Sequence, residues 1–268
     1  MAPFARPARM VARGVSDAFA RCLRSDLATP LVVALAKRQH AAYVGLIRDL
    51  GIEVEVLPAD EEHPDCCFVE DTAVVLRTRA VATRPGAPTR EGEVGPVATA
   101  LAARGTVERM APPAALDGGD VLRAGDHLFV GLSGRTNAEG RDVLARAAAD
   151  EGITVVSIPV GQGLHLKSAC SLVDGRTLVF APGVLGDDAL ASFRAAGLEL
   201  VAAIEPAGAN VLALGDVVLA SAAAPETTRV LRARGHDVRV VDVGQMHVAD
   251  GALTCLSLRV PAPGAWCT

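Results

Sequence analysis

A repeated pattern of short segments constrains the fold of this chain more than any other sequence feature. Five segments open with a glycine after a helical pattern and run into a β-branched strand, at 50–58, 104–112, 151–159, 196–206 and 234–243. Glycine often follows a helix end, and β-branched residues favour strands. A second kind of segment follows each of these, at 68–85, 116–133, 163–182, 208–225 and 250–261. Its middle copies place two apolar runs around a polar Gly/Asp turn, which predicts a β-hairpin.

The period of this pattern predicts the architecture. The hairpins recur every 42 to 48 residues, and helical patterns follow them, with Asn137 and the Thr227-Thr228 pair as predicted helix starts. Five copies of one strand–hairpin–helix unit predict modules arranged around a common axis. The fold class is therefore predicted as α/β with five-fold pseudosymmetry, and residues 1–268 are predicted to form a single domain of five units.

The composition limits the classes of partner. Half of the residues are hydrophobic and only 3% are aromatic, which argues against long disorder and against a base-stacking surface for nucleic acid. The net charge of −5 does not indicate a polyanionic partner, and no apolar run reaches the length of a membrane span. The cysteines form no CxxC pair, which predicts reduced thiols in a cytoplasmic protein. They are Cys22, Cys66, Cys67, Cys170, Cys255 and Cys267.

Polar and ionisable residues recur at one phase of the repeat, where the first strand of each hairpin is predicted to begin. Equivalent positions of a pseudosymmetric ring face the same axis, so these residues are expected to meet in one polar pocket inside an aliphatic shell. They are Asp65, Glu70, Asp71, Asp117, Asp120, His165, Lys167, Asn210, Asp250 and Cys255.

The residue types in this pocket indicate nucleophilic catalysis. A thiol has an ordinary pKa of about 8.5, and a nearby imidazolium or a bound cation favours its thiolate. Cys255 is therefore the candidate nucleophile, His165 the candidate acid and base, and Asp117 the candidate carboxylate that orients the imidazole. The adjacent carboxylates of Glu70 and Asp71 need a cation, and a planar guanidinium offers several donors to such a pair.

Lys167 lies two residues after His165 and is expected on the same face of a strand. From that position its ammonium would either assist the Cys255 thiolate or neutralise a carboxylate, and the sequence does not decide between these roles.

Six stretches resemble motifs of the dimethylarginine dimethylaminohydrolases and occur in the family's order. They are LPADEEHPDCCFVEDTAVV, TRPGAPTR, LDGGDVL, VGLSGRTN, GLHLKSACSLV and DGALTCLSL. The resemblance extends from about Leu23 to Ser257. It implies membership of the guanidino-modifying superfamily, with the arginine deiminases and amidinotransferases, and a five-bladed α/β propeller. The chain lacks the inserted helical domain of the deiminases, which favours the dimethylarginine family.

The resemblance implies a hydrolase that converts Nω,Nω-dimethyl-L-arginine, and the monomethylated form, to L-citrulline. Cys255 would attack the guanidino carbon and form a thiouronium adduct. His165, oriented by Asp117, would protonate the departing dimethylamine or methylamine and then activate water. Glu70 and Asp71 would hold the guanidinium, and no cofactor is implied.

The resemblance also implies how the amino-acid end of the substrate is held. Asp65 and the backbone carbonyls of Leu23 and Ala249 would bind the α-amino group. Arg90 and Arg135 would bind the α-carboxylate, for which the planar fork of arginine is suited. The polar stretch after Leu23 is a candidate lid over the site.

Two alternatives remain open. A deiminase or amidinotransferase acting on another guanidine would use the same residues, and the sequence does not show the shape of the pocket near the methyl groups. A non-catalytic metal- or ligand-binding protein is the second alternative, although zinc-type spacings such as CxxC or HExxH are absent from the sequence. No metal is required by the predicted reaction, while Zn²⁺ held by Cys255 and His165 would inhibit it. The chain is expected to be a monomer or a homodimer.

Overall fold

The computed structural model of the protein describes residues 6–161 and 163–260, so Cys267 lies outside the described residues. Five three-stranded sheets are present in this part of the chain. The strands are β1 (Arg9–Arg13), β2 (Glu53–Leu57), β3 (Ala73–Val75), β4 (Ala80–Ala82), β5 (Val107–Arg109), β6 (Val121–Ala124), β7 (His127–Leu132), β8 (Thr154–Pro159), β9 (Cys170–Leu172), β10 (Thr177–Phe180), β11 (Glu199–Ala202), β12 (Leu212–Leu214), β13 (Val217–Ser221), β14 (Asp237–Val241) and β15 (Leu258–Val260).

In the described part of the chain, five longer helices connect strands within the units, and two short ones lie between consecutive units. They are α1 (Val33–Asp49), α2 (Val94–Ala102), α3 (Ala138–Ala148), α4 (Leu166–Ala169), α5 (Asp187–Ala195), α6 (Pro225–Ala233) and α7 (Gly244–Val248), of which α4 and α7 are the short ones. The predicted start of α3 is confirmed, since the Asn137 side chain accepts a hydrogen bond from the Gly140 N–H. The predicted start of α6 was wrong by two residues, because the helix begins at Pro225, whose fixed φ suits a first helical position.

Four of the units share one topology. An antiparallel hairpin leads through a helix to a third strand, which pairs in parallel with the second strand of the hairpin. The helix supplies the long crossover that parallel pairing requires. The predicted α/β class with five-fold pseudosymmetry is confirmed.

The fifth unit combines both ends of the described chain. β15 pairs with β1 in antiparallel fashion, and β1 pairs with β2 in parallel. The last predicted hairpin, 250–261, therefore contributes only one strand, and the N-terminal strand β1 takes the place of its second strand. The two ends are thereby joined in a single sheet.

The apolar core lies between neighbouring sheets. Each long helix packs between its own sheet and the sheet of the preceding unit: Leu144 of α3, for example, shares an apolar cluster with Val81 and Val130. Ile47 of α1 shares another with Leu219 of β13, and Val97 of α2 shares a third with Val11 of β1, so the fifth unit packs against both the fourth and the first. The packing thus runs around a complete ring, in agreement with the bladed arrangement that the resemblance implies. None of the helices in the described residues is long and apolar enough to cross a membrane.

Candidate active site

Five short helical turns precede the first strands of the hairpins and carry the polar residues. They are Val69–Thr72, Gly118–Asp120, α4, Pro206–Ala209 and Thr254–Leu256. The prediction that these residues begin the strands themselves was therefore wrong by a few residues. In a 3₁₀ turn, successive side chains point about 120° apart. Adjacent residues such as Glu70 and Asp71 can consequently face different spaces.

His165 and Asp117 form the central polar contact. The Nε2 atom of His165 lies 2.9 Å from Oδ2 of Asp117, and both side chains are buried. The other oxygen of Asp117 accepts a hydrogen bond from the Gly86 N–H. His165 is the residue just before α4, and its orientation is also supported by Asp120, which accepts from the next N–H, that of Leu166.

Asp71 lies beside the imidazole on its other side. Its Oδ1 atom is 3.9 Å from Nδ1 of His165 and accepts a hydrogen bond from the Gly119 N–H. A side chain at position 119 would not fit, because a Cβ atom there would lie 2.6 Å from the imidazole Nδ1. The second glycine of LDGGD thus allows His165 and Asp71 to approach each other.

The charges around His165 change its protonation. Burial by itself lowers the pKa of His165. The carboxylates of Asp71, Asp117 and Asp120 raise it by more than burial lowers it, and the resulting pKa is about 9. The imidazole is therefore protonated at neutral pH. Burial opposes ionisation of Asp71, but His165 and Arg90 lower the pKa of that carboxyl to about 2. The pair is an imidazolium facing a carboxylate.

Cys255 faces the same pocket with a neutral thiol. Burial, followed by the negative charges of Glu70 and Asp71, raises its pKa to about 12. These surroundings therefore disfavour the thiolate, and a cation bound near Asp71 would favour it. The four other cysteines in the described residues are buried free thiols, as predicted.

One narrow pocket brings together eight of the ten residues for which a catalytic or substrate-binding role was predicted. They are Leu23, Asp65, Asp71, Arg90, Arg135, His165, Ala249 and Cys255. Asp117 lies behind His165, which is the expected place for an orienting carboxylate. Asp250 also lines the pocket, as predicted from its phase in the repeat, and Phe68, Leu164 and Gly251 line it without a predicted role.

Glu70 differs from its predicted position. One of its oxygens accepts a hydrogen bond from Lys167, and the other accepts a bond of 2.8 Å from Thr254 Oγ1. Its side chain lines a second cavity rather than the pocket of Cys255. Lys167 likewise lies in the one-turn helix α4, not on a strand, and forms its ion pair with Glu70. Lys167 was predicted either to assist the Cys255 thiolate or to neutralise a carboxylate, and in the structure it neutralises the carboxylate of Glu70.

Arg90 is held on three sides. Its Nε and Nη2 atoms donate to the Glu93 carboxylate, and Nη2 also donates to the Phe68 carbonyl. Its Nη1 donates to Asp71 at 2.6 Å. Glu93 is a site residue that sequence reasoning missed; the signal was its position three residues after Arg90, on the same side of a helical turn.

The remaining predicted residues line the same pocket. The guanidinium of Arg135 is partly exposed, 3.7 Å from Asp117. Both oxygens of Asp65 accept from the Leu23 N–H at 3.1 and 3.2 Å. The carbonyls of Leu23 and Ala249 accept no hydrogen bond from residues 6–161 or 163–260, so they can accept one from a ligand.

The loop after Leu23 is tied to the wall of the pocket. The carboxylate of Asp250 accepts hydrogen bonds from the N–H and the hydroxyl of Ser25, and Asp250 itself has a φ of 57°. Aspartate tolerates this left-handed conformation better than most residues. This contact joins the loop to the segment that carries Cys255.

Two buried carboxylates and the histidine have a spacing that metal ligands also show. Within the described residues, Asp71, Asp117 and His165 offer atoms within 4.8 Å of one another, and Cys255 is not part of this group. Arg90 and Arg135 already compensate the charge of the two aspartates. The donors therefore form an ion-pair network with an arginine on each carboxylate.

The fold and the site define a class of protein: a five-fold pseudosymmetric α/β protein with a cysteine, a histidine and carboxylates in one pocket. Comparison with known proteins agrees. The arginine deiminase family model matches residues 97–205. The N(G),N(G)-dimethylarginine dimethylaminohydrolase of Streptomyces coelicolor is 41% identical over 229 residues, which cover 84% of this chain and 86% of that protein. The chain belongs to the dimethylarginine dimethylaminohydrolase family.

Solved structures of the family superpose closely. A cysteine-to-serine variant of the Pseudomonas aeruginosa protein in complex with citrulline has a TM-score of 0.88 and 27% identity, with 95% of this chain and 100% of that chain covered. A histidine-to-glycine variant of a dimethylarginine dimethylaminohydrolase, as an adduct with S-methyl-L-thiocitrulline, also has a TM-score of 0.88, with 28% identity and the same coverage.

Proposed function

We propose that this chain is a single catalytic domain, 1–268, that hydrolyses Nω,Nω-dimethyl-L-arginine and Nω-methyl-L-arginine to L-citrulline and dimethylamine or methylamine. The observation that carries the proposal is the meeting of Cys255, His165 and Asp71 in one pocket that Asp65 and Arg135 also line. A nucleophile, an acid and a guanidinium-binding carboxylate thus stand beside groups suited to an α-amino acid. The S. coelicolor relative carries the same activity in its name.

Binding of the substrate guanidinium supplies the missing charge at Cys255. The raised pKa of the Cys255 thiol results from burial and from the nearby carboxylates of Glu70 and Asp71. A guanidinium seated against Asp71 offsets these carboxylates and lowers the pKa of the thiol. The thiol then releases its proton to solvent, and the thiolate forms in the presence of the cation that it attacks.

The two half-reactions use His165 first as an acid and then as a base. The Cys255 thiolate forms a bond to the guanidino carbon. His165, protonated in the resting site, gives its proton to dimethylamine as the C–N bond breaks and a thiouronium adduct remains. Neutral His165 then takes a proton from water, the hydroxide adds to the same carbon, and citrulline leaves as the thiolate is released.

The two ends of the amino acid are recognised by opposite charges. Asp65 and the carbonyls of Leu23 and Ala249 accept from the α-ammonium, and Arg135 donates to the α-carboxylate. Glu93 and Phe68 engage the Nε and Nη2 donors of Arg90, and Asp71 engages one Nη1 hydrogen. The second Nη1 hydrogen can therefore be donated to the α-carboxylate. Glu70, engaged by Lys167 and Thr254, acts on the guanidinium through its charge.

Deimination of free arginine is a second candidate, because the arginine deiminase family model matches residues 97–205. Comparison of citrulline formation from asymmetric dimethylarginine and from arginine separates the two. The proposal predicts a higher kcat/KM for dimethylarginine. Faster release of ammonia from arginine would contradict it.

The Cys255→Ser variant should keep its fold and bind citrulline without turnover. A protein that only stores a ligand or metal would show no turnover even unmutated.

The proposed setting is the cytoplasm, with a methylated arginine as the partner and neither nucleic acid nor membrane involved. The five cysteines of the described residues are all unpaired, as is usual in a reducing compartment. The proposed assembly is a monomer or a homodimer, which sedimentation would distinguish.

A further inference from the structure

A second cavity of about 700 Å³ lies on the other side of the turns that carry the active-site residues. Its walls are apolar, and the first strand of every unit contributes to them. These wall residues are Val74, Val121, Leu172, Leu212 and Leu258. The cavity therefore runs along the pseudo-five-fold axis. Its size falls in the range of about 300–1,000 Å³ that is typical of small-molecule sites.

Charged groups are placed at two levels of the cavity. Lys167 and Arg259 line it together with Glu70, and Arg77 and Arg123 line it together with Asp126. Lys167 is paired with Glu70. The lining thus holds four cations and two carboxylates, in an otherwise largely aliphatic surface.

Arg77 and Arg123 are close to each other because both lie beside Glu151. The Nη1 atom of Arg123 is 3.6 Å from Oε2 of Glu151, whose other oxygen accepts from Thr78, the neighbour of Arg77. Two arginines, with five N–H donors each, lie in this part of the structure beside two carboxylates, Glu151 and Asp126, so donors remain for an anionic ligand. Arg77 is exposed and Arg123 is half-buried, so both are accessible from solvent.

The cavity is separate from the pocket of Cys255. Two pairs of chain neighbours divide the two spaces: Glu70 and Thr254 line the cavity, while Asp71 and Cys255 line the pocket. The hydrogen bonds from Lys167 and Thr254 to Glu70 lie in the wall between them. A ligand in the cavity therefore does not occupy the substrate position.

We propose that this axial cavity is a second ligand site, which binds a small organic anion with an apolar body. The acid group is held by Arg77 and Arg123, and the body lies against Val74, Val121 and Leu212. Charge complementarity favours an anion. A small inorganic anion would leave the aliphatic walls in contact with water, so the walls favour an anion with an apolar body. This inference does not depend on the proposed activity, because none of these residues lines the pocket of Cys255.

The probe for the test is 8-anilinonaphthalene-1-sulfonate, with N-phenyl-1-naphthylamine as its uncharged analogue. Calorimetry is expected to show one saturable sulfonate site per chain, and binding is expected to raise the melting temperature of the folded protein. The double variant Arg77→Gln/Arg123→Gln should weaken binding by about tenfold or more, since two charge-assisted contacts are lost.

Two matched variants locate the probe. Arg176→Gln removes an exposed arginine at the β9–β10 turn that does not line the cavity, and Arg135→Gln removes an arginine of the pocket of Cys255; both should leave the affinity unchanged. The proposal is overturned by the absence of a saturable site, by a lowered melting temperature, or by equal affinity for the uncharged analogue. It is equally overturned if Arg176→Gln or Arg135→Gln weakens binding as much as the double variant does.

Discussion

The imidazole of His165 is bonded through Nε2 to the fully buried carboxylate of Asp117, at 2.9 Å, while its Nδ1 faces Asp71 at 3.9 Å. A histidine between two carboxylates is held in one orientation and in its charged form. Because its pKa is about 9, His165 already carries the proton that it donates as an acid before substrate binds.

Replacement of the orienting carboxylate should reduce catalysis more than binding. Asp117→Asn removes one of the charges that raise the pKa of His165 and allows the amide to select the wrong tautomer. We expect kcat to fall by about 100-fold or more with a small change in KM, and the alkaline limb of the pH profile to move to lower pH. Asp142→Asn, on the exposed face of α3, should have neither effect. An unmoved alkaline limb would show that Asp117 does not tune His165.

The raised pKa of His165 also predicts a pH dependence of stability. A histidine whose pKa rises from 6.5 to about 9 on folding stabilises the protein fully below its unfolded pKa, and this stabilisation is lost as the pH rises through about 9. The free energy of unfolding, measured with urea, is therefore expected to decrease across this interval. The decrease should be smaller in His165→Gln, and a stability that increases over the same interval would contradict the assignment.

Gly119 is predicted to be irreplaceable for steric reasons. The added methyl group of Gly119→Ala would lie 2.6 Å from His165 Nδ1 and 2.8 Å from Asp71 Oδ1, so it should cost about 1–3 kcal/mol of stability and most of the activity. Gly45→Ala is the matched control, because its Cβ meets nothing within 4 Å inside α1. That change should stabilise the protein by about 0.5–1 kcal/mol. Urea unfolding and citrulline assays report both effects, and an active, stable Gly119→Ala would refute the packing argument.

The contact between Ser25 and Asp250 predicts a loop that must open for substrate to enter. Asp250→Asn keeps the tolerated backbone conformation but weakens two hydrogen bonds to a charged oxygen. We expect cleavage within 23–32 by a protease to accelerate by about tenfold and KM to rise. Citrulline should slow cleavage of the unmutated protein, and Asp150→Asn, an exposed substitution, should not change it. Equal cleavage with and without citrulline would argue against a lid.

The sequence predicted the five units and the meeting of the polar residues because both depend on a period that neighbouring segments share. It did not predict that β1 completes the fifth sheet, since the five residues Arg9–Arg13 pair with a strand at the opposite end of the chain. It also placed Glu70 and Asp71 together. The 3₁₀ turn separates them, and the partners that decide the difference, Lys167 and Thr254, are distant in sequence.

Glu93 and Asp250 show a second limit of sequence reasoning. Glu93 lies three residues after Arg90, and Asp250 belongs to the DGALTC motif, but the role of each depends on a contact made by the folded chain: Glu93 with Arg90, and Asp250 with Ser25. A local pattern indicates that such a residue is near the site. The direction of its side chain is set by packing that no single segment contains.

Trapping the covalent intermediate tests the central claim that Cys255 is the nucleophile and His165 the base for its release. S-methyl-L-thiocitrulline loses methanethiol when Cys255 attacks it, and the proton that the Cys255 thiol releases is taken up by the methanethiolate, so no further acid is needed. Attack of water on the adduct, in contrast, requires a base. His165→Gly incubated with this compound should therefore accumulate one adduct per chain, and mass spectrometry of its peptides should place the adduct on Cys255. The account predicts no adduct in His165→Gly/Cys255→Ser. An adduct on another cysteine, or one that persists in that double variant, would contradict it.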